Sequence, residues 1–283
     1  MQIRMFKTLW GFQGTLEQAI SDALDDGYDG IEAQPPLAPE EAERWRQQLN
    51  KAGLLYQAEI CTTGSYVADR RATLAEHLAD FEAGARAARI AGARAISCLG
   101  GCDAWPADRS AHFFTEAMAM ADKQGLAVSF ETHRGRTLFN PWITVEMLRR
   151  LPDLRLTADL SHWCVVTERL LDTEQEELAA VIPRVDHIHA RVGYDQGPQV
   201  PHPGAPEYQP ALDAHGRWWQ SMWAQQHQRG AVITTMTPEF GPDGYLQAQP
   251  FSGEPVGDLR ELNRWIAEHQ RAAFSRWHQG ARG

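Results

Sequence analysis

Four residues have side chains suited to holding a divalent ion, and each closes a short β-rich run: Glu131 in VSFETH, Asp159 in LTADLSH, His189 in HIHAR and Glu239 in TPEFG. Three carboxylates brought together repel one another and raise one another's pKa values unless a cation offsets their charge. Oxygen-rich ligation with one imidazole suits a hard or borderline divalent ion. Taken singly each residue is weak evidence, since a lone acid at a strand end is commonly a cap and a lone histidine a satisfied core residue. Four in succession point to one metal centre, with manganese the first choice and magnesium, cobalt, iron or zinc compatible with the same donors.

The four lie 28, 30 and 50 positions apart, so the fold must bring them together. Eight β-rich runs, at 3–9, 30–33, 54–60, 95–99, 127–131, 154–159, 185–190 and 231–239, alternate with segments of helical period at 16–26, 39–52, 70–91, 107–124, 142–151, 173–182, 210–228 and 256–278. This alternation predicts a (β/α)8 TIM barrel, in which every strand's C-terminal end opens on the same face. A doubly wound open sheet is the alternative, but no Gly-rich dinucleotide fingerprint follows the first strand, where TLWGFQGTLEQ stands. Gly27, Gly53, Gly92, Gly125 and Gly230 each fall at or just past a helix end, where a left-handed residue is wanted, and Asn140-Pro141 reads as a helix start. One connection is abnormal: the Pro/Gly-rich stretch at 193–209 is far longer than an ordinary strand-helix loop, and is expected over the C-terminal mouth as a lid or clamp.

A length of 283 residues and 43% apolar composition suit a single barrel domain spanning 1–283. No apolar run spans a membrane and no signal peptide is evident, so a cytoplasmic protein is expected. Cys61, Cys98, Cys102 and Cys164 read as buried free thiols. A formal net charge of −10 opposes a phosphate backbone and disfavours nucleic acid as a partner. Trp218, Trp219 and Trp223 recur at helical spacing, as core packing or as contacts of a homo-oligomer.

At the quartet, and at the run Asp159-Leu160-Ser161-His162, the sequence resembles the xylose-isomerase-like superfamily of TIM barrels, the sugar phosphate isomerases/epimerases that include tagatose 3-epimerase-type enzymes and hydroxypyruvate isomerases. The resemblance implies that Glu131 and Glu239 are both metal ligands and the catalytic acid-base pair. It implies that His162, three residues after the ligating Asp159, and Arg191, two beyond His189, bind substrate. The loop after Glu131 departs from the epimerase pattern: it reads THRGRTLFN and lacks their further glutamate. From position alone, His133 faces the mouth as a substrate contact, Trp10 and Trp105 form an apolar wall with Trp163 a further candidate, His187 is a structural barrel residue, and Arg134 and Arg136 are solvated. The expected activity is isomerisation or epimerisation of a small polyhydroxylated α-hydroxy carbonyl compound through an enediolate. The alternative is dehydration of a keto-sugar or keto-inositol by a metal-dependent lyase; an abasic-site nuclease or a non-enzymatic binding barrel ranks lower.

Overall fold

The computed structural model describes residues 1–242 and 244–280. Eight strands pair in sequence order, all parallel, and β8 returns to β1 to close the barrel. They are β1 (Gln2–Thr8), β2 (Gly30–Ala33), β3 (Leu55–Cys61), β4 (Ala95–Leu99), β5 (Ala127–Glu131), β6 (Leu156–Ala158), β7 (Val185–Ala190) and β8 (Ile233–Pro238). The helices are α1 (Leu16–Asp25), α2 (Pro39–Ala52), α3 (Leu74–Ile90), α4 (Ala107–Lys123), α5 (Pro141–Arg150), α6 (Ser161–Thr167), α7 (Gln175–Val181), α8 (Gln209–Gln228) and α9 (Leu259–Gly280).

The local signals act as their chemistry requires. Thr15 and Thr73 form capping boxes with Gln18 and Glu76, and Asn140 accepts from the Ile143 amide. The five punctuating glycines all adopt left-handed backbone, with φ between 67° and 82°. Parallel strands buried on both faces give a core between barrel and helices, built from Ile31, Ile60, Ile96, Phe113, Phe130, Ile188 and Met236. Trp218, Trp219 and Trp223 are buried there too, which excludes them as oligomer contacts.

Two connections differ from expectation. α6 lies where only a loop was foreseen, because SHWCVVT is too short to display a helical period. The 193–209 stretch, expected over the mouth, contributes no residue to the mouth cavity. It is tied down instead: Gln199 exchanges two hydrogen bonds with the Gly241 backbone, and the Val200 amide donates to Val192. Tyr245, in the connection between β8 and α9, packs against Trp10 and Tyr66 beside the cavity.

Candidate metal centre

Alternation along a strand sends residues i and i+2 to the same face. On β5 and β7 this brings Glu131 and His189 to the top of the barrel interior, while Asp159 and Glu239 stand just past the ends of β6 and β8. Ligand-type atoms of the four lie within 4.8 Å of one another, and all four residues are buried. His189 Nδ1 is 3.1 Å from Glu239 Oε2 and 3.6 Å from Glu131 Oε1. Neither His189 Nδ1 nor Glu131 Oε2 has a hydrogen-bond partner. Buried polar atoms are rarely left so, and two orphans of ligand type at one point are what a cation site leaves when its protein donors alone are counted. The donor set fits a divalent ion.

Glu32, at the end of β2, fixes the imidazole. His189 Nε2 donates to Glu32 Oε1 at 3.1 Å, so Nδ1 is the nitrogen left with a lone pair toward the quartet. His187, one layer deeper, contacts the other Glu32 oxygen at 2.9 Å and the hydroxyls of Thr235 and Thr237. It is therefore a structural residue, as expected, and it also anchors the carboxylate that orients the His189 ring. Burial would raise the Glu32 carboxyl, but His187 and His189 hold it well below the usual carboxylate range. Without a cation, burial lifts Glu131 to about 7 against the pull of His189, and burial keeps Asp159 above its ordinary value despite Arg191. On His189 the effect of burial is outweighed by Glu239, Glu32 and Glu131, which raise it well above the usual imidazole value.

Arg191 spends its donors inside the site. Nε donates to Ser161 Oγ, Nη1 to the Glu239 carbonyl, and Nη2 to Asp159 and to His162 Nε2. Because a guanidinium only donates, His162 carries its proton on Nδ1, which is buried without a partner. His133 donates from Nδ1 to the Arg134 carbonyl and packs on His162 with ring centroids 3.9 Å apart and planes tilted by 51°. Burial, His133 and Arg191 hold His162 well below its ordinary value; burial, Arg191 and Arg136 do so for His133.

A cavity of about 270 Å³ opens above the quartet, lined by Trp10, Glu131, His133, Arg191 and Glu239 together with Gln34, Glu59, Cys61, Ser65, Tyr66 and Leu99. Trp10, Tyr66 and Tyr245 form an aromatic group at the mouth, with centroids 4.9 to 5.9 Å apart. Gly241 admits this packing, since a Cβ there would stand 1.9 Å from the Trp10 ring. Two expected contacts lie elsewhere. Trp105 packs on His77 and Phe113 behind the wall, and Trp163 is wholly buried with its indole N–H on the Leu138 carbonyl. Arg136, expected to be solvated, is buried and donates to the carbonyls of Thr62, Thr63, Ser65, Tyr66 and Gly101, so that it holds the loop presenting Ser65 and Tyr66. Arg134 stacks on Tyr245 at 4.9 Å. Of the four cysteines all are free, but Cys61 faces the cavity rather than the core. Sequence reading missed Glu32, Gln34, Glu59, Tyr66 and Tyr245. For Glu32 and Glu59 a signal existed, an acid at an inward position of a β-rich run; the two tyrosines sit in loops without one.

Fold and geometry together define a (β/α)8 barrel with a buried carboxylate-imidazole cluster at its C-terminal mouth. The sequence matches the family described as xylose isomerase-like TIM barrel over residues 20–202, and the chain belongs to that family. No curated protein matches it by sequence. Among solved structures it is similar to an L-ribulose 3-epimerase (TM-score 0.67, 12% identity, covering 100% of this chain and 97% of that one). It is also similar to a D-allulose 3-epimerase from Methylomonas sp. (TM-score 0.65, 14% identity, 96% and 97% covered). A third is a probable 3-DHS dehydratase from Bacillus anthracis (TM-score 0.59, 11% identity, 95% and 98% covered). At such identities the likeness is one of fold. No helix among the described residues is long and apolar enough to cross a membrane.

Proposed function

We propose that this chain is a divalent-metal-dependent isomerase or epimerase of a small polyhydroxylated α-hydroxy carbonyl compound, with Glu131, Asp159, His189 and Glu239 as ligands and Glu131 and Glu239 as the acid-base pair. The observation that carries the reading is that both glutamates, from β5 and from the end of β8, line one small cavity beside buried donor atoms with no partner. A bound divalent ion, with Mn²⁺ the first choice, supplies Lewis acidity toward adjacent carbonyl and hydroxyl oxygens and offsets the clustered carboxylates.

The chain's own residues then move the protons. One glutamate takes the proton from the carbon next to the carbonyl, and the other returns a proton to the opposite face or to the neighbouring carbon. The first course epimerises and the second isomerises. Arg191 keeps Asp159 and His162 in register, with His162 Nε2 toward the carboxylates, 3.6 Å from Asp159 and 3.8 Å from Glu131. Trp10, Tyr66 and Tyr245 exclude water from the mouth. Loss of a β-hydroxyl from the same enediolate gives the dehydratase alternative, which product analysis separates.

The test is turnover of ketoses, keto-inositols and hydroxypyruvate in heavy water by the Mn²⁺-loaded protein. Deuterium is expected on a substrate or product carbon, and Glu239→Gln is expected to lower turnover by about 10² or more. A wild-type rate in Glu239→Gln, or turnover without carbon-hydrogen exchange, contradicts the assignment.

A further inference from the structure

The wall of the cavity formed by β2 and β3 takes no part in these proton transfers, yet it is polar and ordered. Gln34 Nε2 donates to Cys61 Sγ at 3.5 Å, and the Cys61 thiol donates to Glu59 Oε1 at 3.4 Å. Glu59 Oε2 makes no hydrogen bond among the described residues. Glu59 differs from every other acid at the mouth: Glu32 has His187 and His189 beside it, Glu131 and Glu239 have His189, and Asp159 has Arg191. Glu59 has only a thiol. Burial, with Glu239, Glu32 and Glu131 nearby, pushes its carboxyl up to about 8.

We propose that Glu59 is a specificity-determining residue which, with Gln34, hydrogen-bonds the hydroxyls at the substrate end lying over β2 and β3, and which excludes substrates bearing phosphate or carboxylate at that end. The inference rests on reading the cavity as a site for a polyhydroxylated compound, and it adds the charge of the part of the substrate remote from the reacting carbons. Either protonation state of Glu59 gives the same result. As a carboxylate it repels an anion; as an acid it offers one a single hydrogen bond and no counter-charge. No neighbour supplies one. Arg191 is the one arginine among the lining residues, and it is engaged by Ser161, Asp159, His162 and Glu239. Arg136 is spent on backbone carbonyls, and Arg134 lies on Tyr245 outside the lining. The volume of about 270 Å³ lies just below the ordinary range for ligand pockets, which suits a short polyol chain. A free carboxyl or carboxylate oxygen and a primary amide are, by contrast, well matched to vicinal hydroxyls, each of which donates and accepts.

The experiment is calorimetric binding to the full, Mn²⁺-loaded chain of D-fructose, D-ribulose and D-xylulose, each paired with its terminal phosphate ester. At least one free ketose is expected to bind, and to bind tenfold or more tighter than its ester, about the difference a buried unmatched charge imposes. Glu59→Gln should weaken the free ketose, and Glu59→Lys, which supplies the missing counter-charge, should invert the ratio. Gln34→Ala, a change at an exposed position that leaves the core untouched, should weaken the free ketose several-fold and serves if Glu59 variants do not fold. Equal or tighter binding of the esters, binding of neither member of any pair, or a ratio left unchanged by Glu59→Lys overturns the inference. Hydrogen exchange into the same ligands is scored separately. Discrimination without exchange removes the proton-transfer reading alone, and exchange without discrimination removes this one alone.

Discussion

Two layers of the same barrel interior, one pleat apart, are filled by opposite rules. Two positions before Glu131, Asp159, His189 and Glu239 stand Ser129, Thr157, His187 and Thr237, about 6–7 Å deeper along the strands. In that deeper layer neutral groups satisfy each other: Ser97 donates to Thr157 at 3.0 Å, Ser129 and Thr157 lie 2.7 Å apart, and His187 meets Thr235 at 2.7 Å. In the upper layer carboxylates crowd together, and buried donor atoms of Glu131 and His189 remain unpaired. The serine, threonine and histidine side chains of the deeper layer are paired within the protein, whereas the upper layer has the donor set of a cation site. Glu32 crosses between the two, touching His187, His189 and Thr237, so that the neutral layer sets the orientation of a ligand in the charged one.

If the layers differ in this way, removing an upper-layer ligand should abolish function of that layer alone. Asp159→Asn and His189→Ala are expected to weaken Mn²⁺ binding by more than about a hundredfold, since the remaining donors are too few and too poorly placed. Metal analysis of the purified variants measures this, and full retention by either would break the comparison. Glu32→Gln touches the link. It should cost about 10- to 100-fold in metal affinity, the usual effect of losing the partner of a ligating imidazole, with the fold intact by circular dichroism.

The same contrast governs what was legible in the sequence. The quartet could be read because each member ends a β-rich run, and parallel closure makes four such ends converge; the periodicity of the helices and the glycines at 27, 53, 92, 125 and 230 carried the fold. Glu32 and Glu59 escaped because the significance of an inward acid depends on its neighbours across the barrel, His187 lying 155 positions from Glu32. Arg136 escaped for a related reason: its partners are backbone carbonyls, which leave no trace in side-chain type. The length and proline content of the 193–209 loop were visible in the sequence, but its anchoring to Gly241 through Gln199 was not. Tyr245, which does reach the mouth, comes from a connection with no distinguishing composition.

Acid should separate the layers by a smaller margin. Glu131 lies at about 7 without a cation and His189 well above its usual value, so both hold protons that a metal must displace as pH falls below about 7. Binding of the ion favours the deprotonated forms; affinity therefore rises with pH through this window and goes on rising above it, less steeply, until His189 too has lost its proton. Displacing the Glu131 proton alone gives about a tenfold loss of apparent affinity per unit of pH below 7. A pH-independent affinity between 5 and 7 would mean that these groups carry no proton there and that the upper layer is balanced by other means.

The smallest effect tests the deeper layer. Ser129 is two residues from Glu131 and shares its face of β5, yet its hydroxyl serves only the Ile96 carbonyl and Thr157. Ser129→Ala removes one member of a neutral chain and leaves the wholly buried Thr157 hydroxyl, also contacted by Ser97, short of one partner. A buried hydroxyl deprived of one hydrogen bond costs about 1–2 kcal/mol, and no charge is exposed or removed. Chemical denaturation should register a loss of that size, while Mn²⁺ affinity stays within about twofold of the wild type, because the Glu131 backbone is held by the strand ladder rather than by this hydroxyl. A metal-affinity loss comparable to that of Glu32→Gln would show instead that the layers act as one unit, with the serine positioning the carboxylate above it. Only the first outcome leaves the deeper layer as scaffold and confines metal binding to the upper one.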